Sequence, residues 1–190
     1  LMNYLNLDNI TMTFNDWGGP VGLSYAIKYP DKIKKFVIMN TYLWSVEDDP
    51  YYQKFSNLMG GSFGKFMIKN FNIFGKFFLK KVVADKKSLP KHIHKHYYKH
   101  LATPAERKGC YIFPREVVKS GKWLASLWEQ REIINTKPAV FLWGMKDIAF
   151  REKELNYWLA NWKNSTVIKL ENVGHYPQEE SPQSLINALK

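Results

Sequence analysis

A single cysteine, Cys110, stands among 190 residues. That excludes an intramolecular disulfide and fits a reducing compartment, so a cytoplasmic location is the expectation. Long apolar runs are also missing. No stretch of about eighteen residues stays apolar, and none reads as a membrane span. The stickiest segment, residues 63–83, is broken by Gly64, Gly75 and several lysines, and reads as a helical lid element. Acidic residues are few, 17 against 28 lysines and arginines, giving a formal charge of +11. Such a balance suits nucleic acid or an anionic membrane. No nucleic-acid motif accompanies it, however. The basic residues read as scattered, many beside apolar ones as on amphipathic helices, so neither nucleic acid nor a membrane is expected as a partner. Four of the five histidines, at 92, 94, 96 and 100, crowd into one segment. Spacing by two scatters three of them around a helix, no cysteine completes a set, and no metal is expected.

What the chain does have is aromatic bulk, with seven Trp, eleven Tyr and twelve Phe, and apolar content enough for one sizeable core. Its rhythm falls into three parts. Residues 1–41 read as the end of a helix (LMNYLNL), a strand (ITMTF), a helix stopped by Tyr29-Pro30 and an apolar strand (KKFVIMN), which is a βαβ unit with parallel strands. Residues 42–122 are helical, rich in Phe and Lys, with no parallel-strand pattern. From Trp123 to residue 190 the alternation returns, as strand PAVFLWG, helix KELNYWLANW, strand STVIKL and helix SPQSLINALK. The expectation is one α/β layer structure interrupted by a mainly helical insertion. Four strands are few, and the first already carries the turn of interest. The chain is therefore expected to be the C-terminal part of a longer protein.

Three polar residues each follow an apolar strand. Asp16 sits between ITMTFN and a glycine-rich helix start, Asp147 follows AVFLWGMK, and His175 lies in the loop after STVIKL. Taken singly each has an ordinary reading: Asp16 as a helix N-cap, Asp147 as a strand-end turn residue, His175 as a loop histidine. Taken together they stand in the chain order nucleophile, acid, histidine of an α/β-hydrolase triad, at strand ends that converge on one edge of a parallel sheet.

The runs NDWGGPVGLSYA, KKFVIMNT, ERKGCYIFPREV, FLWGMKD and VGHYPQEE resemble the haloalkane dehalogenases of the α/β-hydrolase superfamily, and more distantly the epoxide hydrolases. The resemblance implies an α/β-hydrolase fold, the C-terminal part of a mainly parallel sheet with an inserted helical cap at residues 42–122. It implies Asp16 as nucleophile, Asp147 as triad acid, His175 as the base that activates water, and Trp17 as halide ligand and oxyanion amide. It also implies a small apolar halogenated or epoxide substrate, water, no cofactor, and a monomeric full-length protein. The family has strands and an HG-P loop ahead of the nucleophile strand, and residues 1–15 hold no match. The second halide donor is a cap tryptophan in one branch and an asparagine of that loop in another. Residues 45–122 contain no tryptophan, leaving Trp44 at the cap entrance, with Phe71 and Phe74 as pocket aromatics or plain helix packing. An epoxide hydrolase would need cap tyrosines, for which Tyr97, Tyr98 and Tyr111 are candidates. A third reading is a fragment that keeps the fold without catalysis.

Overall fold

A computed structural model describes residue 2 and residues 4–190. The helix end expected over LMNYLNL falls partly on Leu1 and Asn3, outside the described residues; Tyr4 to Asn6 form turns. Four strands follow, β1 (Ile10–Asn15), β2 (Ile33–Met39), β3 (Ala139–Gly144) and β4 (Ser165–Leu170). They form one parallel sheet in the order β1-β2-β3-β4. Parallel neighbours need crossovers. Helix α1 (Gly18–Lys28) supplies one and α8 (Glu152–Asn161) another. β2 and β3 are sequence-distant neighbours, and the chain between them is helical: α2 (Pro50–Gly60), α3 (Ser62–Phe71), a π-helical turn Phe74–Phe78 running into the short α4 (Leu79–Lys81), α5 (Lys91–Tyr98), α6 (Lys108–Lys119) and α7 (Gly121–Glu129). Helices α9 (Pro177–Glu180) and α10 (Pro182–Leu189) close the chain.

The boundary expected between residues 122 and 123 cuts through α7. That helix is continuous, and its Leu124 and Leu127 are buried with Leu23 of α1 in the core of the sheet layer. An apolar stripe that packs on the sheet layer keeps α7 there, whatever the composition before it. The core is aromatic: Phe36, Phe141, Trp143 and Trp158 are fully buried. Each buried indole N–H of the sheet layer finds a carbonyl. Trp143 donates to Phe150 O at 3.2 Å, Trp158 to Thr41 O at 2.9 Å and Trp162 to Lys137 O at 3.0 Å. Among the described residues no helix is long and apolar enough to cross a membrane.

Parallel register brings the strand ends to one edge. Asn15 pairs with Met39 and Gly144 with Leu170, so the residues that follow β1, β2, β3 and β4 share one rim.

Candidate active site

Asp16 leaves β1 with φ at +51°, a left-handed conformation that costs a non-glycine residue about 1 kcal/mol. It is not the helix cap. The N-cap of α1 is Trp17, with no side-chain capping bond. The turn is held instead by its backbone. The Asp16 amide donates to Asn40 O at 3.0 Å, and its carbonyl accepts from Gly19 N at 2.9 Å and from the Thr41 hydroxyl. Thr41 also explains the glycine: a Cβ on Gly19 would lie 2.0 Å from Thr41 Oγ1.

A second close approach positions the other two residues. A Cβ on Gly144 would lie 2.0 Å from the carbonyl oxygen of Gly174, so the β3 end and the loop after β4 touch backbone to backbone. Across that contact the His175 Nδ1 meets Asp147 Oδ2 at 2.8 Å, and its Nε2 meets Asp16 Oδ2 at 3.2 Å. The second Asp147 oxygen accepts from Ala149 N at 2.7 Å. Asp147 and His175 are buried, whereas the Asp16 side chain is 44% exposed. Burial by itself lowers the imidazole pKa. The charge and hydrogen bond of Asp147, then those of Asp16, overcome it and raise His175 from 6.5 to about 10.

The structure thus brings Asp16, Asp147 and His175 into one hydrogen-bonded chain, with Trp17 beside them. A cavity of about 400 Å³ stands over it, lined by Asp16, Trp17 and His175 with Phe55, Phe74, Phe78, Val117 and Phe150 among its apolar walls. Of the three aromatic residues singled out in the sequence, Phe74 lines this cavity. Phe71 and Trp44 lie outside it. Phe71 is 55% exposed and leans on Phe66 at 6.1 Å. Trp44 packs between Trp128, Tyr157 and Trp158, an aromatic cluster against α8. Phe71 is the last residue of α3, and the left-handed Asn72 turns the chain before Phe74. The tyrosines expected in the cap also look elsewhere. Tyr97 donates to Glu179, Tyr98 packs on His94 and Tyr111 lies under Lys65.

Several residues at the site escape sequence reasoning. Asn40, fully buried, accepts from Gly144 N at 2.8 Å and donates to Gly144 O and Phe150 O, locking the ends of β2 and β3 together. Asn15 donates to Asn40 O and His175 O at 3.2 Å. Tyr51 and Tyr52 of α2 donate to the carbonyls of Ile148 and Ala149, steadying the loop that carries Asp147. Glu180 accepts from Gly174 N, Ala84 N and Asp85 N. The runs KKFVIMNT and VGHYPQEE contain Asn40 and Glu180, and a polar residue ending an apolar strand was the available signal. Tyr176, in the same run as Glu180, lines the cavity with its ring 4.9 Å from His175. Burial and the Asp16 charge raise the Tyr176 phenol, so it stays protonated.

A parallel sheet, a strained acidic turn between strand and helix, and an acid–histidine pair on the last two strand ends define the α/β-hydrolase class. The model of the alpha/beta hydrolase fold family matches residues 1–182, and the chain belongs to that family. It is 29% identical over 194 residues to Haloalkane dehalogenase 2 of Mycobacterium tuberculosis (strain ATCC 25618 / H37Rv), covering 99% of this chain and 65% of the relative. It is 25% identical over 197 residues to a cis-3-alkyl-4-alkyloxetan-2-one decarboxylase of Shewanella oneidensis, covering 100% of this chain and 62% of the relative. The crystal structure of haloalkane dehalogenase DatA from Agrobacterium tumefaciens C58 superposes with a TM-score of 0.84 at 19% identity, over 99% of this chain and 67% of that one. At that identity the likeness is one of fold. The chain spans less than two thirds of the length of these curated relatives.

Proposed function

We propose that the chain carries the reacting groups of a hydrolase that breaks carbon–halogen bonds through an alkyl ester of Asp16. The observation that carries this reading is the Asp16 carboxylate, 3.2 Å from His175 Nε2 and open to an apolar cavity. A carboxylate is a weak nucleophile toward esters but suits in-line displacement at an sp3 carbon. Asp16 attacks that carbon, the carbon–halogen bond breaks and halide departs. The Trp17 indole N–H, which has no hydrogen-bond partner among the described residues, receives it. Apolar surroundings strengthen that single hydrogen bond.

His175 then has a task it cannot perform while Asp16 is charged. Two carboxylates hold its pKa near 10, so the resting ring is protonated at neutral pH. Ester formation removes the Asp16 charge and returns the pKa toward its ordinary range. The neutral ring takes a proton from water, which adds to the ester carbonyl carbon. The alkoxide leaves as alcohol with that proton, and Asp16 is restored. Trp17, at the N-terminus of α1 where helix amides lack internal partners, is placed to stabilise the oxyanion. The helices between β2 and β3 serve in this reading as the cap over the pocket.

Bromide release from brominated alkanes tests the proposal, together with the mass of the intact protein after brief exposure to substrate. The Asp16→Ala variant should show neither bromide nor a mass increase; unchanged release would refute the reading.

A second reading has a specific support. Tyr176 lines the cavity together with Asp16, while the phenols of Tyr51 and Tyr52 are bonded to loop carbonyls. An oxygen leaving group, as in an epoxide or oxetanone ring, requires a proton that halide does not, and Tyr176 is a source. Loss of ring opening with retained bromide release in Tyr176→Phe would favour it.

A further inference from the structure

The net charge of this chain is not spread over its surface, contrary to the expectation from the sequence. Residues 50–105 hold eleven lysines, no arginine and one acidic residue, Asp85; the other seventeen basic residues face sixteen acidic ones. Ten of those eleven lysines are exposed, and among the described residues none forms an ion pair. The same segment exposes large apolar side chains. Leu58, Phe63, Phe66, Phe71 and Phe77 are 55% to 69% accessible. Phe63 and Phe66 lie one turn apart on α3, opposite the buried Gly64 and Ile68. The face they occupy therefore points away from the protein. The cavity also reaches this surface: Lys54, Leu58 and Lys81 line it and are exposed at the same time.

We propose that the outer surface of α2, α3 and the π-turn into α4 docks on an anionic lipid bilayer, with the phenylalanines at the acyl boundary and the lysines among the phosphates. Exposed phenylalanine gains from an apolar phase that water denies it. Lysine stems lie along such a boundary while their ammonium groups stay in the headgroup layer. The absence of arginine argues against nucleic acid, whose bases and phosphates are read by its planar fork. The six lysines of this surface, Lys54, Lys65, Lys69, Lys76, Lys80 and Lys81, none in an ion pair among the described residues, argue equally against a second copy of the chain. Docked in this way, the cavity mouth faces the layer in which a water-insoluble substrate concentrates. The docking itself is measured without turnover, so it stands or falls apart from the proposed reaction.

The test is sedimentation of the 190-residue chain with phosphatidylcholine vesicles with and without about 30% phosphatidylglycerol, at low and high salt. The wild type should bind the anionic vesicles about tenfold or more tightly than the neutral ones, and salt should weaken binding. Two variants separate the contributions: Phe63→Ser with Phe66→Ser and Phe77→Ser, and Lys65→Glu with Lys69→Glu and Lys76→Glu. All six residues are exposed, and circular dichroism checks that each variant folds. Each should bind about tenfold or more weakly. Equal affinity for neutral and anionic vesicles would overturn the proposal, as would undiminished binding of the phenylalanine variant. Retention on heparin without vesicle binding would assign the surface to another polyanion. A dimer that the phenylalanine variant dissolves, with no vesicle binding, would assign it to self-association.

Discussion

The rim of strand ends and the helices above it are built by opposite means. At the rim, geometry is set backbone to backbone: Gly144 against Gly174, Gly19 under Thr41, Asn40 tying β2 to β3. Charges there are few and paired, as in Asp147 with His175. Above it, residues 50–105 carry unpaired lysines and exposed phenylalanines around an apolar hollow. The difference separates two duties. Chemistry demands placement to a few tenths of an ångström, which only close-packed main chain and buried hydrogen bonds supply. Access demands surface, and surface can vary without disturbing the rim.

The sharpest way to break this contrast is to remove a reacting group. Asp16→Ala should lower turnover by roughly 10⁴-fold or more while leaving far-ultraviolet circular dichroism unchanged. His175→Gln should slow turnover by about 10³-fold and leave the ester standing on Asp16, visible as a persistent mass increase in the intact protein. Next come the contacts that set the rim. Gly19→Ala places a methyl group 2.0 Å from Thr41 Oγ1 and should cost about 2 kcal/mol in urea unfolding. On the helical side, Phe74→Ala should alter KM for long substrates, because Phe74 lines the cavity. Phe71→Ala, outside it, should change stability and KM by no more than about 0.5 kcal/mol.

The pH dependence sharpens the same comparison more gently. His175 stands at about 10 when folded against 6.5 ordinarily. A raised folded-state value means its contribution to stability is complete below pH 6.5 and lost as pH rises through 10. His175→Gln should flatten the alkaline fall in Tm relative to wild type. Asp16→Asn, which removes one of the two anions, should shift the imidazole titration downward in NMR.

The sequence was most legible where periodicity and main-chain chemistry coincide. All four strands and helices α1 and α8 announced themselves by apolar alternation, and Asp16, Asp147 and His175 by their place after a strand. Strand-end position converts directly into space in a parallel sheet, so order along the chain became proximity. Legibility failed where tertiary packing chooses among similar residues. Phe71 and Phe74 are three apart in one aromatic run, yet the helix end between them sends one to solvent and the other to the cavity. Trp44, Tyr97 and Tyr111 were drawn to partners far along the chain. Helix α7 kept its place on the sheet through Leu124 and Leu127 although its neighbours in sequence belong to the helical layer.

Several links join the two layers, Tyr51 and Tyr52 at the Asp147 loop among them, and one set reaches the histidine loop. His175 donates its amide to Val82 O at 3.0 Å, and five residues further on Glu180 receives the amides of Ala84 and Asp85. The helical roof is therefore riveted at residues 82–85 to the very loop that holds the imidazole. The imidazole loop is thus pinned from above by the roof as well as from below by the sheet.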